Sequence, residues 1–253
     1  MALAVVASQA TGTDGTLPAT TAAIDTTGAN LLAVVLGYIA GTASILTDSK
    51  GNTWSPLTEY GTGRVVKLYY CVPTSVGSGH TFTHTSSFNF PWIGVIAFSG
   101  AHATPYDSTE SGATVSGTAY SPGSATPTAA DCVCVTGVYA NGSSYTIDAG
   151  DGFTIAHQTA GTGSFYGGIA YKLLSGTPAT DPTWNDAGAA SGAVAQAFFK
   201  PATGGGGATY PGADGCGVFH HDPRLYEFER AQQRREWELA RIGRQVARGR
   251  RAA

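Results

Sequence analysis

The residues with chemical potential in this chain are six histidines, four cysteines and a thin scatter of carboxylates. His80 and His84 sit four apart on a predicted strand, roughly 13 Å along it, too far to share one metal ion. Cys132 and Cys134, two apart, would face one side of a strand, and we read them, with Cys71, as buried thiols acting as small hydrophobes. Cys216, His220, His221 and Asp222 form the one compact ligand-like group. Its glycine-rich setting, and the use of Asp222 to start a helix, argue against zinc. Asp48 and Asn52 offer two oxygens where calcium takes six to eight, so Asp48-Ser49-Lys50-Gly51-Asn52-Thr53-Trp54 reads as a capped turn. Nucleophile-elbow, phosphate-loop and His-Glu-x-x-His patterns are all missing, and no spacing pairs two carboxylates for glycoside hydrolysis. The expectation is a chain without catalytic residues, cofactor or metal.

The elements that carry these residues are short strands. Apolar runs separated by Gly, Pro, Asn, Asp and Ser clusters predict strands at Ala2–Ser8, Leu31–Ala40, Ser44–Thr47, Arg64–Val72, Thr81–His84, Trp92–Ser99, Ala113–Ala119, Cys132–Tyr139, Phe153–His157, Ser164–Leu173 and Ala193–Lys200. Leu31–Ile39 is nearly continuous apolar, as a strand covered on both faces should be, whereas Arg64–Tyr70 interleaves charge with apolar residues, as a strand with one wet face should. The spacing predicts an all-β fold, an antiparallel β-sandwich over residues 1–201. No convincing amphipathic helix precedes residue 222, so a βαβ enzyme core is hard to extract.

Composition changes late in the chain. Gly204-Gly205-Gly206-Gly207, followed by Pro211 and Gly212, marks residues 202–218 as a linker. Residues 219–253 hold nine arginines against five acids, a net +4, while the first 218 residues carry five basic residues against twelve acids, a net −7. Asp222-Pro223 starts a helix well, and the acids lie early and the arginines late, which suits the helix dipole. From Pro223 to Ala247 the helix would run roughly 37 Å. Leu225, Phe228, Leu239, Ile242 and Val246 share its apolar face, interrupted by Gln232 and Arg235. An isolated helix of this length is marginal in water, so that face, with Arg235 and Arg248 beside it, is expected to bind a partner. Interleaved acids argue against nucleic acid as that partner, although Arg244 to Arg251 has no acid and could meet phosphate or an acidic protein surface.

The order of Asp48–Trp54, Leu68-Tyr69-Tyr70, Thr81-Phe82-Thr83, Ile96-Ala97-Phe98-Ser99-Gly100 and Pro105-Tyr106-Asp107 resembles a β-sandwich module of tailed-phage structural proteins and bacterial surface proteins. Gly150-Asp151-Gly152-Phe153, Ala170-Tyr171-Lys172, Pro182-Thr183-Trp184 and Gln196–Lys200 extend the resemblance over roughly residues 25–200. It implies a jelly-roll-like sandwich and no shared catalytic residues.

Met1 to Ala10 lacks the charge and length of a secretory signal, and no apolar stretch approaches the ~18–20 residues of a membrane span. These readings converge on a non-enzymatic virion component, assembled in the bacterial host cytoplasm: a head decoration, neck or collar, or tail accessory protein such as a fiber. Its arm would bind other virion proteins, and its copies would group as a trimer or ring. The alternative is an adhesive module in which Tyr60, Tyr106, Tyr120 and Tyr145, in loops, stack on a cell-surface glycan.

Overall fold

The computed structural model describes residues 2–13, 18–40, 44–86, 90–142, 144–160 and 165–202. The chain divides into two compact units, Met1–Gly207 and Ala208–Ala253, and all the described residues belong to the first. Along them run β1 (Ala4–Gly12), β2 (Ala19–Thr20), β3 (Leu31–Ile39), β4 (Ser44–Asp48), β5 (Ser55–Tyr60), β6 (Arg64–Cys71), β7 (Phe82–Ser86), β8 (Trp92–Ser99), β9 (Ala101–Tyr120), β10 (Val133–Ala140), β11 (Tyr145–Ile147), β12 (Thr154–Ala160), β13 (Tyr166–Leu173) and β14 (Trp184–Pro201). Among the described residues the only helical piece is a single 3₁₀ turn, Ala149–Asp151. Every strand pair is antiparallel, so the all-β expectation holds.

The strands form three layers. A five-stranded sheet, in the order β1-β8-β3-β6-β5, lies in the middle. A six-stranded sheet, β11-β14-β10-β13-β12 with β9 also paired to β14, covers one face, and a three-stranded sheet, β2-β7-β4, covers the other. Alternation along β3 sets the layers, because successive side chains point to opposite faces. Leu31, Ala33 and Val35 join Val133, Val135 and Ala195 in one core, while Leu32, Val34 and Leu36 join Leu46 and Phe82 in a second. That is why β3 reads as continuous apolar sequence.

Glycine permits the close approach of the middle and six-stranded sheets. A Cβ at Gly37 would lie 2.4 Å from the Tyr139 ring, and one at Gly167 would lie 2.0 Å from Trp92, so each large ring seats in a notch that only glycine leaves open. Trp92 is fixed there by its indole N–H, which donates to Thr159 Oγ1 at 2.7 Å.

Two expectations differ from what is found. Strand β6 has no wet face: Val66 and Leu68 enter the first core, Val65, Tyr69 and Cys71 the second. Its charges escape sideways instead. Lys67 reaches Glu59 at 3.8 Å, and the Arg64 guanidinium lies over Phe165 at 5.3 Å. The second is the layering: where a two-sheet sandwich was expected, β1–β8 divide between the middle and three-stranded sheets, and β9–β14 all enter the six-stranded one.

Candidate functional site

Asp48, at the end of β4, organises the tightest polar cluster. Its carboxyl oxygens accept from Lys50 N at 2.8 Å, Asn52 N at 3.2 Å, Asn52 Nδ2 at 3.2 Å and Trp54 Nε1 at 2.9 Å. They also contact the His80 ring at 3.0 Å, and the other ring nitrogen meets Thr26 Oγ1 at 2.9 Å. Carboxyl, imidazole and hydroxyl in that order match the connectivity of a nucleophilic triad. Access decides otherwise. The side chains of Asp48 and His80 are 0% exposed, Thr26 is 0% exposed, and Thr26 Oγ1 already accepts from Gly77 N at 3.1 Å. The cluster is a lock holding three loops, with Gly51 taking the left-handed φ of 73° that the turn needs. Its oxygens face N–H donors, which leaves no set of free ligands for calcium. Asn52 Oδ1 likewise accepts from Thr74 N and Ser75 N.

The second arrangement is open to solvent. Tyr70, near the end of β6, and Tyr106, on β9, stack with ring centroids 5.6 Å apart, and each also packs on Phe199 of β14. They wall a cleft of about 430 Å³ that Thr53, Ser55, Val72 and Thr104 also line. Val72 at its rim is 45% exposed. Burial, followed by the nearby Glu110 charge, pushes the Tyr106 hydroxyl up to about 12. Tyr60 belongs to the same flank: its ring lies where a Cβ on Gly112 would be, 2.4 Å from Cγ, and burial and Glu110 raise its hydroxyl too. The Glu110 carboxylate accepts from the Thr58 hydroxyl and the Thr58 N–H, stitching the edge strand β5 to β9.

Tyr120 and Tyr145 correct the sequence reading. They are 0% and 1% exposed, lie edge to face at 6.3 Å, and cannot stack on a glycan. Both sit at strand ends folded over the outer face of the six-stranded sheet, where Tyr145 also meets Trp184 at 5.9 Å and donates to Tyr166 O at 3.1 Å. Flanking Gly and Ser residues made them resemble loop tips. Tyr70 carried the opposite signal, an aromatic inside a strand pattern, and nothing in its spacing marked it as a cleft wall.

Cys71, Cys132 and Cys134 are free and buried, as expected, and burial pushes each thiol up to about 12. His84 is separate from His80: its ring meets Ser44 Oγ at 2.9 Å and Trp92 O at 3.1 Å, and burial holds it down to about 4. Among the described residues no three His, Cys, Asp or Glu side chains are grouped to hold a metal, and no helix is long and apolar enough to cross a membrane. The arm residues Leu225, Phe228, Arg235, Leu239, Ile242, Val246 and Arg248, the group Cys216, His220, His221 and Asp222, and the linker beyond Ala202 lie outside the described residues.

The ends of the described β unit meet. Ala202 N donates to Gly100 O at 2.7 Å, a Cβ on Gly100 would lie 2.1 Å from Ala2 O, and Ala2, Leu3, Leu173, Lys200 and Ala202 line a cavity of about 690 Å³ there. Comparison with family models, with curated proteins and with solved structures finds no match.

Proposed function

We propose that this chain is a non-enzymatic structural component of a tailed-phage particle, a head decoration, neck or collar, or tail accessory protein. In this reading the β unit is displayed outward and residues 219–253 fasten it to neighbouring virion proteins. The observation that carries the proposal is the meeting of both ends of the β unit at Gly100. Ala2 and Ala202, the first and last described residues of that unit, thus lie beside the same residue. Three further features support it: the order of turn-and-strand motifs that resembles phage structural modules, the change from net −7 to net +4 across the glycine-rich linker, and the sealed state of the triad-like Asp48 cluster. Grouping of copies as a trimer or ring would let individually weak contacts add.

The test is incorporation. Particles assembled with the full chain, or with a chain ending before Phe219, are purified and the protein counted by quantitative mass spectrometry. The truncated chain is expected to fold, with its melting transition retained, and to be missing from particles. Incorporation of the truncated chain at normal copy number would overturn the anchoring role, and absence of the full chain from particles would overturn the virion assignment.

A further inference from the structure

We propose that the cleft walled by Tyr70 and Tyr106 is a binding site for an uncharged sugar residue. The site stands on the folded β unit alone and does not depend on membership of a particle.

The chemistry of the lining selects the ligand. At about 430 Å³ the cleft falls within the ~300–1,000 Å³ typical of small-molecule sites. Its lining combines the apolar residues Tyr70, Tyr106, Pro105 and Val72 with the hydroxyl-bearing Thr53, Ser55, Thr104 and Ser108, and none of its lining residues is charged. A pyranose ring has the matching surface, a C–H face that packs on an aromatic ring and a rim of hydroxyls that exchange hydrogen bonds with Ser and Thr. A phosphate or carboxylate entering the same cleft would find no cation, and would have to shed water without a counter-charge.

The walls are also rigid before any ligand arrives. Tyr70 and Tyr106 stack on each other and on Phe199, so neither ring must be frozen on binding, and tyrosine presents large amphipathic area at small entropic cost. The Tyr106 hydroxyl, pushed up to about 12, keeps its proton throughout the physiological range. Ser108 at the cleft adopts φ 63°, in the left-handed region that glycine would occupy without cost. A serine held there is local strain of the kind that collects at ligand sites, and Ser108 is one of the residues lining the cleft.

The experiment applies the full-length chain to a glycan array carrying neutral gluco-, galacto-, manno- and N-acetylhexosamine oligosaccharides beside sialylated and uronic-acid chains, with titration calorimetry on each hit. Saturable binding to neutral glycans is expected, and Tyr106→Ala should weaken it by roughly tenfold or more. Because Tyr106 also packs on Phe199, Val72→Arg is the second variant: it blocks the rim from a position already 45% exposed and should abolish binding without moving the melting transition. Failure of every neutral glycan to bind, preference for the charged chains, or unchanged binding by Val72→Arg would each overturn the proposal.

Discussion

Replacing Asp48 by alanine tests the reading of the buried cluster as a structural lock. The substitution strips five N–H contacts of their acceptor: Lys50 N, Asn52 N, Asn52 Nδ2, Trp54 Nε1 and the His80 ring. The loop amides can turn to water, but the His80 side chain is 0% exposed and the Trp54 indole packs edge to face on Phe82 at 6.1 Å. At about 1–3 kcal/mol for a buried donor left unpaired, His80 alone gives that much and the half-buried Trp54 indole adds up to as much again, roughly 1–6 kcal/mol together. A central value of about 4 kcal/mol is a large share of the ~5–15 kcal/mol that holds a typical protein together, and corresponds to a fall of roughly 8–16 °C in melting temperature at this chain length. Thermal unfolding followed by circular dichroism reads the shift directly. Trp54→Phe removes one donor with its bond and should cost only about 1 kcal/mol, and that cost should vanish in the Asp48→Ala background, since the pair is then already broken. An Asp48→Ala protein melting within about 2 °C of the parent would refute the reasoning, because the loops would then be held by something else.

His84 gives a pH prediction. Its ring is held down to about 4 by burial, from an ordinary value of 6.5, so above about pH 6.5 it is neutral whether the chain is folded or not. As pH falls from there toward 4 only the unfolded chain takes the proton, and stability on the order of 3 kcal/mol drains away across that window. Urea unfolding at pH 7 and pH 4.5 should show the loss, and His84→Gln, which keeps a donor for Trp92 O and an acceptor for Ser44, should flatten it; an equal slope in both proteins would rule His84 out as the source. Gly167→Ala places a methyl 2.0 Å from a Trp92 ring tied to Thr159, and overpacking of this kind costs about 1–3 kcal/mol, visible as a lower urea midpoint with unchanged slope. A midpoint unmoved by Gly167→Ala would show that the two sheets can separate without cost.

The sequence announces the strands that are apolar and uninterrupted, and hides those whose residues look like turns. Trp92–Ser99 was expected and found with the same bounds, and β3 differs by one residue. Strand β5 was missed because Pro56 and Glu59 break its pattern; the structure places it at an edge with a register shift between those residues, where both are tolerated. The first half of β9 was missed because His102, Pro105 and Asp107 look like loop. Asp107 is instead buried, accepting from Thr128 N and Ala129 N. Of the third layer's strands, β4 and β7 are expected from the sequence at Ser44–Thr47 and Thr81–His84, while the two-residue β2 is too short to leave a pattern; that they form a separate sheet is not legible, although the double-sided apolarity of β3 already requires something to cover it. At the sites, the Asp48 turn was legible because its donors lie within six residues; His80, thirty-two residues away, was not, because spacing along a chain says nothing about which loops meet. Tyr60 and Tyr106, expected in loops, lie on β5 and β9 and are half-buried, while Tyr120 and Tyr145 are misplaced for want of any signal that their strand ends fold inward.

A middle sheet covered on both faces has a consequence for biosynthesis. When the ribosome has made the chain as far as Ser99, all five strands of that sheet and its three-stranded cover exist, yet the face bearing Leu31, Val35, Ile96 and Phe98 has no companion. Its companions, from Val133 to Phe199, are the last part of the β unit to emerge. Half-finished chains therefore expose a broad sticky plate for several seconds at ordinary elongation rates of ~5–20 residues per second. Until the six-stranded sheet arrives, that face is the part of the nascent chain most in need of cover.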